Sequence, residues 1–368
     1  MKLHRLLAAV LALILSGITA QADILIGQSV GVSGAVAATV KEASQGAMLY
    51  IDEVNARGGV GGEKIKLITL DDKFDTKLTL ANAKTLIEER AVVALFMTRG
   101  TPHTEGLIPL LDQYGVALIA PSTGAMIFHR PVRQHIFNVR ATYQREAEKA
   151  MAHLASIGIT RIAVIYVDDS FGSDGLEGAK NGLATAKLKA VAIEKFNRSK
   201  PDFSAIAPLM VKAQAQAVMI IGSGTAVVDG IKAVKAAGSG AQLVTLSNNA
   251  SDGFVKLLGE QARGIIVSQV LPHSFSYAIF KEATQLAKTH NIADVSPAML
   301  EGFASAKVLV EALRRASPKP TRERIQTALE GMHKFDLGGL EINYSATDHT
   351  GLDFADLSII NAEGKFMR

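Results

Sequence analysis

The chain is built on a repeated alternation, and that alternation limits the folds open to it. Short apolar runs such as "DILIGQSV", "KIKLITL", "AVVALFM" and "VALIAP" are separated by segments with apolar residues at helical spacing. The helix predicted over 40–55 shows the pattern: Ala43, Ala47, Tyr50, Ile51 and Val54 share one face, and "ARGGVGG" then stops it. Helices predicted over 78–89 and 102–114 complete a βαβαβαβ block. Such a block requires a parallel sheet covered on both faces.

The pattern then starts again. A helix over 143–156 precedes "RIAVIYV", "AVAIEKF", "AVMIIG", "QLVTL" and "GIIVSQV", with helices expected at 174–186, 203–213, 226–237 and 252–258. The fold class expected is α/β, with two doubly wound lobes. A length of 368 residues suits two domains. Long helices over 275–289 and 297–315, a shorter one at 322–331, and short antiparallel strands within 335–360 end the chain.

The first 22 residues stand apart. "MKLHR" is cationic, "LLAAVLALIL" is too short to span a bilayer, and Ala20 and Ala22 form the small-residue pattern of a signal-peptidase site. We expect 1–22 to be a secretory signal and the protein to be periplasmic. Losing Lys2 and Arg5 lowers the formal charge from +4 to +2. With no dense basic block and no Trp, nucleic acid is not an expected partner. The chain has no Cys, which removes disulfides and thiolate metal sites. Its nine His follow no ligand spacing, so no metal and no cofactor are expected.

Ligands of open α/β sheets bind beyond the carboxyl ends of strands. One such end carries "TRGTP". Pro102 suits a first helical position, which makes Thr101 the expected N-cap. Gly100 permits close approach to the backbone, and the helix start favours an anion. Arg99 either offers a guanidinium to a carboxylate or points to solvent. The end of "VALIAPSTGAM" presents Ser122, Thr123 and Gly124. With "GSGT" (222–225) and "LSNN" (246–249) in the second block, a cleft between lobes is the expected site. The pairs Asp71/Asp72 and Asp168/Asp169 follow strands. They suit strand ends and helix caps better than metal or acid–base work, and Asp169 is the likelier of them to face the cleft. Arg140 is expected in a hinge salt bridge and Glu301 at a helix start.

"IGQSVGVSG…GAMLYIDEVNARGGVGGEKIKLITLDDKFD", "PLLDQYGVALIAPSTGA", "IFNVRATYQREAE" and "RIAVIYVDDSFGSDGL" resemble, in order, the branched-chain amino-acid binding proteins, type I solute-binding proteins of ATP-driven importers. The resemblance implies a first lobe of 23–140 plus 272–347 and a second of 141–271 plus 348–368. It implies a non-enzymatic monomer that delivers a small-molecule ligand to permease subunits, with a sensory module for a membrane receptor or a true branched-chain amino-acid binder as the alternatives. Thr101, Ser122 and Thr123 fall where the family holds a ligand carboxylate, Thr39 where a side chain meets the ligand, and Phe171 where an aromatic is usual. Ser247 stands where amino-acid binders place an acid for the ammonium, Ser223 where an aromatic often lies, and Arg99 where an apolar residue is usual. These departures point to a carboxylate without an amine.

Overall fold

The computed structural model describes residues 23–367. The signal segment expected over 1–22 lies outside the described residues. A five-stranded sheet has the order β2-β1-β3-β4-β5 and is parallel throughout. Its strands are β1 (Ile24–Val30), β2 (Ile65–Asp71), β3 (Ala94–Phe96), β4 (Leu118–Ile119) and β5 (Ile136–Phe137). Side chains alternate between faces with period two. Ile26, Phe96, Ile119 and Phe137 enter one core cluster, whereas Leu95, Leu118 and Ile136 enter the other.

The second sheet has seven strands, ordered β14-β13-β10-β9-β8-β6-β7. Strands β6 (Ile162–Val167), β7 (Ala192–Phe196), β8 (Ala217–Ile221), β9 (Gln242–Thr245) and β10 (Ile266–Gln269) run parallel. After a hairpin of β11 (Phe335–Asp336) and β12 (Glu341–Ile342), β13 (Asp356–Ile360) adds antiparallel to β10, and β14 (Phe366–Met367) adds antiparallel to β13. The architecture is two α/β lobes. Neither β5 nor the short β3 and β4 match the longer runs of the sequence. The ladder nevertheless continues past β3, since the N–H groups of Val93 and Met97 bond Leu25 and Ile119.

The helices are α1 (Ala37–Ala56), α2 (Thr76–Glu88), α3 (Thr101–Glu105), α4 (Ile108–Tyr114), α5 (Tyr143–Ser156), α6 (Ser170–Thr185), α7 (Ile206–Lys212), α8 (Thr225–Ala236), α9 (Asp252–Leu258), α10 (Ala278–Thr289), α11 (Pro297–Arg315) and α12 (Arg322–Glu330). Thr142 caps α5 and Ser296 caps α11 through their side chains. The single helix expected over 102–114 is two, α3 and α4. Pro109 has no N–H for residue 105, so the first helix ends at Gly106. Helices α1 and α11 cross with their backbones in contact. A Cβ on Gly46 would lie 1.9 Å from the Met299 carbonyl oxygen, and one on Gly302 would lie 1.8 Å from that of Ala43. Among the described residues no helix is long and apolar enough to cross a membrane.

Candidate functional site

Five strand ends converge on one region. Beyond β3 and β4, the segments 98–101 and 121–124 run side by side, joined by a parallel bridge between Arg99 and Ser122. The Ser122 N–H donates to the Thr98 carbonyl at 2.8 Å. Gly100, not Thr101, is the N-cap of α3, with φ +97° and ψ 141°. This overturns the expected cap. The chain needs a positive φ to turn from β3 into α3, and only glycine takes it without strain. Thr101 becomes the first helical residue, Pro102 the second, and the Thr101 hydroxyl bonds that of Thr123 at 2.8 Å. Both threonines are buried. One hydroxyl of such a pair keeps its hydrogen for a third partner.

Arg99 does not point to solvent. It is 4% exposed, and its guanidinium reaches across to the second lobe. Nη2 donates to the Asn248 carbonyl at 2.6 Å and Nη1 to Ser122 Oγ at 3.4 Å. Neither acceptor is a carboxylate. Burial lowers the pKa of this guanidinium, and nearby Tyr143 and Glu301 oppose that shift.

On the second lobe, the loops after β8 and β9 are tied together. Asn248 Nδ2 donates to the Gly222 carbonyl and to Ser223 Oγ, both at 3.0 Å. Asn249 Oδ1 accepts the Gly224 N–H at 2.9 Å. Ser223 therefore faces Asn248 at the rim of the same region. Phe171, in the first turn of α6, is buried with its ring 4.7 Å from that of Tyr143. Asp169 caps α6 at the Gly172 N–H and pairs with Arg198, whose guanidinium lies over the Phe74 ring of the first lobe at 5.0 Å. Thr39, on α1, bonds Ser251 Oγ across the lobes at 3.0 Å.

Ser247 lies in a buried ionic cluster. Its hydroxyl accepts from Arg140 Nη2 at 2.6 Å, and its N–H donates to Glu146 Oε2 at 2.9 Å. Arg140 also pairs with Glu146, and with Glu301 at 3.2 Å. Glu146 further accepts from Ser268 Oγ. Arg140 precedes the second sheet, Glu146 sits on α5 and Glu301 on α11, so the cluster ties the two lobes where the chain crosses. The salt bridge expected of Arg140 is present, to Glu146 and Glu301. Glu301 does more than favour its helix dipole, because its carboxylate partners Arg140 and acts on Arg99. Glu146 is the residue sequence reading missed; Glu301 and Asn248 were read as a helix start and as part of "LSNN", without their bonds to Arg140 and Arg99. A charge six positions after Arg140 was the one available signal for Glu146.

The other acidic pair is structural. Asp72 is buried and accepts from Ser29 Oγ, Thr79 Oγ1 and the Phe74 N–H. Asp71 accepts from Ser33 and Lys73. Among the described residues no group of three His, Cys, Asp or Glu is placed to hold a metal.

Two α/β lobes with a polar region between their strand ends define a bilobal binding protein. The periplasmic binding protein family model matches residues 23–358, and the chain belongs to that family. The Leu/Ile/Val-binding protein of Escherichia coli (strain K12) is 22% identical over 265 residues, 72% of each chain. An amino acid binding protein of Pseudomonas aeruginosa is 26% identical over 189 residues, and this chain covers only half of its length. Among solved structures, a substrate-binding periplasmic protein from Ralstonia solanacearum superposes with a TM-score of 0.86 at 29% identity, covering 94% of this chain and 99% of that one. Members of the family are solute-binding proteins rather than enzymes, and they work in the periplasm.

Proposed function

We propose that this protein is exported to the periplasm by a cleaved leader, captures a small carboxylate-bearing solute between its lobes as a monomer, and delivers it to the permease subunits of an ABC-type importer. One observation carries the choice of solute. Arg99 is a buried guanidinium between the lobes, and among the described residues no carboxylate is hydrogen-bonded to it. A buried charge is costly until an opposite charge meets it. A planar carboxylate matches the guanidinium fork. Thr101, Ser122 and Thr123 would supply hydroxyls and Gly100 an approachable backbone, with Thr39, Phe171, Ser223 and Ser247 completing the lining. A solute touching both lobes binds the closed form better than the open one, so it draws the lobes together.

A second reading, an α-amino acid, is favoured by Glu301. The four buried charges Arg99, Arg140, Glu146 and Glu301 sum to zero. A zwitterion preserves that balance, and the Escherichia coli relative carries Leu/Ile/Val in its name.

A thermal-shift panel on residues 23–368 tests both. It would hold branched-chain amino acids, their amine-free keto and hydroxy acids, aromatic carboxylates and neutral amides. A ligand at a hundred times its Kd adds about 2.7 kcal/mol of stability. Stabilisation by amine-free acids alone supports the first reading. Stabilisation by leucine or valine supports the second. Stabilisation by the neutral amides alone refutes the assignment of Arg99.

A further inference from the structure

We propose that Glu42 is a closure residue, whose carboxylate grips the start of a second-lobe helix and so sets the balance between open and closed lobes apart from any solute. This rests on the reading of the two lobes as mobile about their crossings. Glu42 projects from α1 of the first lobe. Its Oε2 accepts the Asp252 N–H at 3.0 Å and its Oε1 the Gly253 N–H at 2.7 Å. Both amides open α9 of the second lobe. From its own lobe, Ser296 Oγ donates to Oε2 at 2.6 Å and holds the carboxylate in position.

A helix start normally leaves its first N–H groups to water. In α9 the third, on Phe254, goes to Ser251 Oγ at 3.1 Å. The first two go to the other lobe. They regain water when the lobes part, so the pairing favours closure without taking part in the folding of either lobe.

The surrounding seam is shaped for the same contact. Thr39 and Glu42 lie three positions apart on α1 and Ala35 lies in the turn just before it, and each meets the second lobe. The Ala35 carbonyl accepts the Thr225 N–H at 3.1 Å, and Thr39 meets Ser251. A Cβ on Gly253 would lie 2.7 Å from Ala38 Cβ. Residue 253 is bare where α1 comes closest, although its backbone is open to any side chain.

The chain has no native Cys, so dyes at Lys84→Cys and Lys180→Cys, one per lobe, report the interlobe distance by energy transfer. The protein is first stripped of copurified solute by washing in denaturant and then refolded. Glu42→Ala should lower the closed-to-open ratio by about tenfold or more, the scale of losing a hydrogen bond to a charged acceptor, and Gly253→Ala should lower it through the clash of its methyl with Ala38. Gly253→Ala keeps the Glu42 and Ser296 side chains while its methyl presses on Ala38 Cβ at 2.7 Å and on Glu42 Oε1 at 3.2 Å, and it serves if Glu42→Ala fails to fold. Two populations in the parent protein, unchanged in both variants, overturn the role of Glu42. A single distance in every protein, even with a stabilising solute from the thermal panel, overturns lobe closure itself and the proposal with it.

Discussion

Arg99 of the first lobe donates to the main-chain carbonyl of Asn248 in the second at 2.6 Å. That carbonyl is the carboxyl-end continuation of β9, and Arg99 is that of β3. The two sheets are thus bridged by one side chain, in the region where a ligand of this fold binds. Replacing Arg99 by Ala removes the guanidinium and leaves the carbonyl in place. We expect Arg99→Ala to weaken binding of the solute that stabilises the protein by about 1.5–3 kcal/mol, roughly ten- to 150-fold. Calorimetric titration measures this. An unaltered Kd would make Arg99 a bridge between lobes and nothing more.

The Arg140 cluster predicts a stability effect instead. Removing the arginine strands Glu146, which is fully buried, together with Glu301. Arg140→Ala should cost about 3–5 kcal/mol in urea unfolding. Glu301→Gln keeps an acceptor for Arg140 and should cost less. Equal losses would mean that the cluster acts by packing rather than by charge.

Asp174 gives a pH dependence. Its Oδ1 accepts from Gln144 Nε2 and from the Met126 N–H, its Oδ2 has no hydrogen-bond partner among the described residues, and burial pushes its carboxyl up to about 6. The folded state therefore holds this proton more tightly than the unfolded chain. Its contribution is full below about pH 3.8 and is lost as pH rises through about 6. Asp174→Asn should be more stable than the parent above pH 6, by up to about 3 kcal/mol, and should lose that advantage near pH 4. Urea midpoints across pH 4–8 show this directly. A pH-independent difference would remove Asp174 as the titrating group.

Local signals in the sequence were readable where chemistry is local. Thr142 and Ser296 announce α5 and α11, and both helices span the residues expected, 143–156 and 297–315. Gly100 misled, because the pattern Thr-Pro suggests a threonine cap, and the need for positive φ belongs to the route from β3 into α3. Pro109 was legible as a break in the helix, but the apolar spacing on either side of it masked the break. The site's partnerships were out of reach for a different reason. Arg140 and Glu301 are 161 positions apart, Arg99 and Asn248 149, and Glu42 and Gly253 211. No periodicity couples residues at such distances. The strand ends showed where polar residues gather but not which of them pair.

The crossing of α1 and α11 leads to a last prediction. Gly302→Ala should destabilise the protein by about 1–3 kcal/mol or more, because the new methyl meets main chain that cannot step aside. Thermal unfolding measures it. A neutral outcome would show that the two helices can separate without cost.

That crossing also fixes a dimension. Glu42 lies one turn before Gly46 on α1, and Glu301 adjoins Gly302 on α11. The spacing that two bare glycines allow thus decides how far each carboxylate extends, one toward α9 and the other toward Arg140. A residue at a strand end can change its identity without altering this calibration. A residue in the weld between the helices cannot. Side chains at the strand ends can therefore vary independently of the distance between α1 and α11, which the two glycines hold.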